Sequence, residues 1–302
     1  LRVRFLPSIL ALTILLLPAA LPAAAVPGDF DLEAWKQKPR KEVETLASQN
    51  KPDALFALAM FYWEGYQTPK DPAKAFDWAV RAAEAGHARA MNTVGVCLAN
   101  GYGAERNLDA ARAWYEKAAA LNYAPACFNL GLMYQSGTSV ERDPVQAFEW
   151  FLKAAELGDA EAQNRVAVRY ALGSGVLADM KQAAHWYLKA AEAGHAEAQN
   201  DIGLLYMKGN GVPKDLKKAF EWIEKSAKAG YVKAQFNLGV FYEDGIGVEK
   251  NKVEAFKWFI LAARNGDDAA KEERARLEQE LPKEARERAE SLANADGPAA
   301  GP

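Results

Sequence analysis

The sequence predicts an all-α solenoid: six 36-residue helix-turn-helix repeats between helical caps. Three observations predict it. Tryptophan recurs at Trp78, Trp114, Trp150, Trp186, Trp222 and Trp258, each 36 residues after the last. Three residues before every tryptophan stands an alanine: Ala75, Ala111, Ala147, Ala183, Ala219 and Ala255. A glycine opens every intervening turn (Gly65, Gly101, Gly137, Gly173, Gly209, Gly245), and six residues later comes Asp or Asn. Six hits at one period without an insertion mark a stacked repeat array, whose core is linear.

In chain order, residues 1–25 read as an export signal. Arg2 and Arg4 form a basic start, Phe5 to Leu17 a largely apolar run, and Ala23-Ala24-Ala25 a small-residue cleavage motif. An uncleaved anchor is the competing reading, because Phe5 to Val26 is almost long enough to span a bilayer. Pro7, Pro18 and Pro22 argue against it. The expected location is therefore periplasmic or secreted. Residues 26–51 read as amino-terminal capping helices. Asp31 to Trp35 gives a short helical turn, and Lys41 to Gln49 a degenerate second helix. That helix has Val43, Leu46 and Ala47 at core slots and Asn50 in the place of a stop glycine.

The repeats run 52–87, 88–123, 124–159, 160–195, 196–231 and 232–267. The first helix takes the opening thirteen residues of each, with alanine at the third and, in five of six copies, tyrosine at the eleventh. Its eighth residue is small: Ala59, Gly95, Gly131, Ala167, Gly203 or Gly239. Glycine inside a helix costs about 1 kcal/mol against alanine, so four of them imply a neighbour too close for a larger side chain. The second helix starts after Asp71, Asn107, Asp143, Asp179, Asp215 or Asn251, whose short side-chain oxygens suit an N-cap. In repeat 3 the apolar stripe is Ala147, Trp150, Phe151, Ala154 and Ala155, at helical spacing. The tryptophan is expected to be the packing pin between the two helices. Gly86, Gly158, Gly194, Gly230, Gly266 and, in one copy, Asn122 end the second helix.

Residues 268–293 read as carboxy-terminal capping helices, where the pattern dissolves into charges, a Leu277/Leu281 pair and a last helix opened by Pro282. Residues 294–302 read as a disordered tail.

The motif Ala-x-x-x-Leu-Gly-x-x-Tyr-x-x-Gly-x-Gly-Val, then Asp, Lys-Ala, Trp and Lys-Ala-Ala, resembles the Sel1-like repeat, a relative of the tetratricopeptide repeat. Repeat 5 carries it from Ile202-Gly203 through Gly209-Asn210-Gly211-Val212-Pro213-Lys214-Asp215 to Ala227, departing at Ile223 and Ser226. The resemblance covers 52–267. It implies paired antiparallel helices wound into a right-handed α/α superhelix, and a scaffold or adaptor that holds a protein or peptide on its concave face. By the same resemblance, such proteins serve envelope assembly or mask the external domain of a membrane partner.

The chemistry-bearing residues are sparse. Net charge is −3 with mixed signs and no basic stripe, which excludes a nucleic-acid partner. His87 and His195 fill one slot after the stop glycine and read as surface or helix-start residues; His185 has no partner at metal spacing. No nucleophile turn or phosphate loop is present, and no metal or cofactor is called for. Membrane contact is expected only through an uncleaved signal or a membrane-protein partner. If the repeats superpose, Cys97 and Cys127 differ by six residues of helical rise, about 9 Å. Neighbouring axes add roughly 8–10 Å, beyond the ~7 Å limit for a bridge, so two buried thiols are expected. One cysteine-rich subgroup of the resembled family is linked to penicillin binding and hydrolysis, but its paired cysteines are missing here. A β-lactamase-like, cell-wall-directed hydrolase and a structural spacer in an envelope complex are the alternative readings.

The informative residues are those that break the repeat. The tenth residue of the first helix is apolar at Phe61, Cys97, Met133, Leu205 and Phe241, but it is Arg169 in repeat 4, with Arg165 one turn earlier. One reading is an internal ion-pair lattice built with Glu161 and Asp201. The other is a carboxylate-reading patch of Arg165 and Arg169 with Asn164 and Asn200, for which arginine is the apt residue. Asp201 joins either set. Phe56, Phe128 and Phe236, all in the fifth slot, and Trp63, which departs from its own column, are the candidate aromatic anchors.

Overall fold

A computed structural model describes residues 30–296 and holds sixteen helices and no strand among them. The expected signal at 1–25, the first few residues of the amino-terminal cap, and residues 297–302 lie outside the described residues. The chain divides between Asp159 and Ala160 into two compact units.

The first unit holds α1 (Leu32–Lys36), α2 (Arg40–Ser48), α3 (Pro52–Glu64), α4 (Pro72–Glu84), α5 (Ala88–Asn100), α6 (Leu108–Ala120), α7 (Ala124–Ser136) and α8 (Pro144–Glu156). From α2 onwards each helix packs on the next, and α1 lies on α3. The second unit holds α9 (Ala160–Leu172), α10 (Met180–Glu192), α11 (Ala196–Lys208), α12 (Leu216–Lys228), α13 (Val232–Asp244), α14 (Lys252–Arg264), α15 (Asp268–Glu280) and α16 (Lys283–Asp296). Here too consecutive helices pack in pairs, with α14 against both α15 and α16. Odd-numbered helices from α3 are the first helices of the repeats, and even-numbered ones the second.

All six expected caps of the second helices form. The side chains of Asp71, Asn107, Asp143, Asp179, Asp215 and Asn251 each accept a backbone N–H from the first turn that follows. Such a cap contributes about 1 kcal/mol by satisfying a donor that has no helical partner. The turn between the helices makes its closest approach at its second glycine. A Cβ on Gly211 would stand 2.0 Å from the Met180 carbonyl oxygen, and the residue sits at φ +73°. That position admits glycine for both reasons.

The packing pin is not the tryptophan. Trp186 and Trp258 are buried, but Trp78, Trp114, Trp150 and Trp222 are only half-buried. The residue after each tryptophan is the one that enters the helix pair: Ala79, Tyr115, Phe151, Tyr187, Ile223 and Phe259, all at or below 4% exposure. These side chains meet the small eighth residue of the first helix. A Cβ on Gly95 would lie 2.5 Å from the Tyr115 ring, on Gly131 2.8 Å from Phe151, on Gly203 2.9 Å from Ile223, and on Gly239 2.6 Å from Phe259. The close approach expected from the helical glycines is thus real, and its other half is one residue further on than the periodic marker. The tryptophan instead lies beneath a cation one turn along. Arg81 stands 4.1 Å from the Trp78 ring centre, Lys117 4.0 Å from Trp114, Lys189 4.4 Å from Trp186 and Lys225 4.2 Å from Trp222. A ring placed so covers the core edge with one face and holds the charge with the other.

Both described ends continue the register. Val43 and Ala47 of α2 are fully buried, and Asn50 takes a left-handed φ of 60° where a stop glycine would stand. At the other end the pattern does not dissolve as the charges suggest. Helix α15 is thirteen residues long, capped by Asp267 in the slot that caps other first helices, and buries Ala270 and Leu277 at the third and tenth positions. The rest of its surface is mostly polar and exposed. The last helix also runs past the expected start of the tail. Asn294 to Asp296 are helical, and the Asn294 side-chain oxygen accepts from Arg264 Nη2 at 2.7 Å.

Candidate functional site

In the second unit the first helices α9, α11 and α13 carry a row of buried polar side chains: Asn164, Arg165, Arg169, Asn200 and Asn237, each at or below 8% exposure. Asp201 lies beside them, partly buried. Helical periodicity places them there, because the fifth, sixth and tenth residues share the inward side of a thirteen-residue helix. Buried polar groups demand partners, and most of these have one.

Glu161 anchors the α9 end. Arg165 Nε donates to its Oε1 at 2.8 Å, and His195 Nε2 reaches its Oε2 at 2.8 Å. His195 is the N-cap of α11, and its Nδ1 accepts from the Ala198 N–H at 3.2 Å. Nδ1 therefore carries no proton, so Nε2 is the donor to Glu161. Burial raises the Glu161 carboxyl, but the His195 hydrogen bond and the Arg165 charge outweigh it and hold the group below its ordinary range. Arg169 Nη1 donates to the Arg165 carbonyl at 3.2 Å. Burial first, then the neighbouring Arg165 charge, brings its guanidinium down to about 10. Along α11, Asn164 Nδ2 reaches Glu197 Oε2 at 3.4 Å, and Tyr231 donates its hydroxyl to Glu197 Oε1 at 3.2 Å. Asn200 Nδ2 donates to Asp201 Oδ1 at 3.0 Å, and Asn200 Oδ1 accepts from Asn237 Nδ2 at 2.9 Å. The bonds fall into three groups: Arg165, Glu161 and His195 with Arg169 tied on through the Arg165 carbonyl, Asn164 and Tyr231 on Glu197, and Asn200 between Asp201 and Asn237.

The aromatic candidates fare differently. Phe56 is fully buried, 4.8 Å from the Phe30 ring and 4.6 Å from the His87 ring. Phe236 is 3% exposed and packs on Phe259 at 5.6 Å. Both are core, and neither is an available anchor. Phe128 is half-buried with its edge toward Phe151 at 5.3 Å. Trp63 remains half-buried, 5.8 Å from the Tyr102 ring with Lys70 over its face. Phe56, Phe128 and Trp63 belong to the first unit, Phe236 to the second.

Two features escaped the sequence reading. One lies at His87 and His195, which are helix-start residues as expected: both are N-caps, and the side chain of His87 is 8% exposed. Each contacts the acidic second residue of the preceding first helix, His87 with Asp53 at 3.6 Å and His195 with Glu161. Tyr231 meets Glu197 in the same way, so a 34-residue pairing of acid with His or Tyr was the signal. Leu172 and Leu177 also break their columns. They are 55% and 89% exposed, whereas the same places in other repeats hold Glu64, Asn100, Ser136, Lys208 and Asp244, and Pro69, Glu105, Glu141, Pro213 and Glu249. Both belong to repeat 4, the repeat with the two arginines.

Cys97 and Cys127 are free and buried, and burial pushes the Cys97 thiol up to about 12 and the Cys127 thiol upward too. Neither is a thiolate near neutrality. Among the described residues no group of three or more His, Cys, Asp or Glu is placed to hold a metal ion, and no helix is long and apolar enough to cross a membrane.

The Sel1 repeat family matches residues 52–87, 88–123, 124–159, 160–195, 196–231 and 232–267. The chain belongs to that family. This Sel1 repeat chain is similar to a protective antigen present in uropathogenic Escherichia coli strains, at 30% identity and a TM-score of 0.78 over 86% of its length. It spans 56% of the length of that protein. It is also similar to a Sel1 repeat protein from Oxalobacter formigenes, at 32% identity and a TM-score of 0.65, over 76% of this chain and 94% of that one. No curated protein matches it. Sel1 repeats form a scaffold fold that generally serves protein interaction.

Proposed function

We propose that this Sel1 repeat chain is an exported scaffold that holds a protein or peptide partner on the face lined by α9, α11 and α13, in envelope assembly or regulation. The observation that carries the reading is the double departure of repeat 4. It buries Arg165 and Arg169 in that face, and it exposes Leu172 and Leu177 where other copies are polar or proline. Packing within the repeat explains neither leucine, since an exposed leucine contributes nothing to its own core. The leucines offer apolar contacts to one partner, and Arg165 and Arg169, with Asn164, Asn200 and Asp201 beside them, fix the polar wall behind those contacts. Export rests on the basic start, apolar run and Ala23–Ala25 motif of the leader, and accords with the similarity to a protective antigen.

The test is capture from envelope extract by the chain lacking residues 1–25, followed by titration of the captured species against variants. Leu177→Lys and Arg169→Glu are expected to weaken binding at least tenfold, with Leu177→Lys leaving the melting temperature unchanged. Equal binding by wild type and Leu177→Lys sinks the placement on repeat 4. Collapse of Arg169→Glu assigns the arginines to the fold, and turnover of labelled cell-wall fragments by wild type refutes the scaffold reading.

A further inference from the structure

Two side-chain rungs tie successive first helices together. Asn129 Nδ2 donates to Asn92 Oδ1 at 2.9 Å in the first unit, and Asn237 Nδ2 donates to Asn200 Oδ1 at 2.9 Å in the second. Each joins residues 37 apart, the fifth residue of one repeat accepting from the sixth of the next. Asn164 is the fifth residue of repeat 4, and the residue 37 further on is Asp201. The donor of the made rungs is here an acid. Asn164 is 4% exposed, and its Oδ1 is a buried acceptor with no hydrogen-bond partner.

We propose that Asp201 is a proton-gated rung: its protonated carboxyl donates to Asn164 Oδ1 and joins repeats 4 and 5, and loss of the proton opens the rung. An ionised carboxylate only accepts hydrogen bonds, so against the Asn164 carbonyl oxygen it leaves two acceptors and no proton between them. The amide of an asparagine meets no such restriction, which is why the other two rungs are made without regard to pH.

The surroundings of Asp201 decide where the gate turns. On its own helix Glu197 adds a like charge, while Asn200 donates to the carboxylate. From α10, Tyr187 hydrogen-bonds it, and that phenol is itself pushed upward by burial, so it stays a donor throughout. From α13, Lys233 draws it down. On α9, Glu161 and Arg165 are engaged with each other, and Asn164 is neutral. Helix α12 buries Ala219, Ile223, Ser226 and Ala227, none of which titrates here. Burial outweighs the donors, and the carboxyl is held up at about 7. Its folded value lies above its unfolded one, so the contribution to stability is complete below about pH 4 and is lost as pH rises through 7. The inference does not rest on the partner reading.

The experiment is a carbon-detected NMR titration of the Asp201 carboxyl in the full chain between pH 4 and 9. Thermal melts at pH 5 and pH 8 accompany it for wild type, Asp201→Asn, Asn164→Ala and the double variant. Asp201 is expected to titrate near 7, roughly a thousandfold tighter in proton affinity than a free aspartate. Asp201→Asn is expected to melt higher than wild type at pH 8 and alike at pH 5, because its amide donates at both. Asn164→Ala is expected to lower the Asp201 midpoint and to abolish the pH 8 gain of Asp201→Asn. Titration of Asp201 near 4 overturns the proposal. So does a pH 8 gain that survives Asn164→Ala in full, since that outcome assigns the effect to burial alone.

Discussion

Replacing Phe151 by alanine should cost this protein more than replacing Trp150, the residue its sequence repeats most faithfully. Phe151 is fully buried, its ring stands against Gly131, and Phe128 packs across it at 5.3 Å. Truncation removes that whole side chain and leaves a sealed cavity, for which about 3–5 kcal/mol is the usual cost. Trp150 is half-buried, with Lys153 5.6 Å from its ring centre. An indole offers about 200 Å², of which roughly two thirds or more is covered, so at about 25 cal/mol per Å² its burial gives about 3 kcal/mol, less what the unfolded chain already hides. Solvent fills the open side, so no comparable cavity penalty is added. Each kcal/mol moves the melting temperature of a chain this size by about 2–4 °C. Urea unfolding followed by far-ultraviolet circular dichroism on both variants measures the difference, with midpoints preferred because repeat arrays need not unfold in one step. A Trp150→Ala variant as unstable as Phe151→Ala, or more so, would refute the assignment of the pin.

Other outcomes follow from the same geometry. Gly211→Ala should lose about 2 kcal/mol or more, since its Cβ would stand 2.0 Å from the Met180 carbonyl oxygen at a left-handed φ; a denaturation midpoint equal to wild type would contradict the turn. Native Cys97, held up at about 12, should resist alkylation at pH 8 and react once urea is added, which mass spectrometry reads directly. Glu161 sits below its unfolded value, so its contribution is present above about pH 4.3 and is lost as pH falls through the lower folded value. Glu161→Gln should therefore be less stable than wild type at pH 7 by under about 1 kcal/mol, its side chain being 43% exposed, and the gap should close in acid. A gap that widens in acid would reverse the sign of the argument.

Much of the architecture was written in single residues. Six N-caps, the stop residues and the four helical glycines each act through local backbone chemistry, and such chemistry is legible without a partner in view. The glycines even announced a close neighbour. Which neighbour it was could not be read, because Trp150 and Phe151 are equally apolar and adjacent, and only the crossing of α7 with α8 decides which enters. Helix α15, which keeps the register of a first helix, was hidden for a related reason: it buries only Ala270 and Leu277, so its many polar residues mask that register.

The candidate site divides in the same way. Departures from a column marked Arg165, Arg169 and Trp63 as exceptional, because a regular repeat makes every exception visible. Tertiary structure alone buried Phe56 and Phe236, paired His195 with Glu161 and Tyr231 with Glu197, and left the Asn164 oxygen buried without a hydrogen-bond partner. The sequence by itself determined the period, the helix limits and the family, which depend on contacts made within a few turns of chain. The partners of Asn164, Asn200 and Glu197 on neighbouring helices lie 33 to 37 residues away, and those pairings exist only once one repeat has stacked on the next.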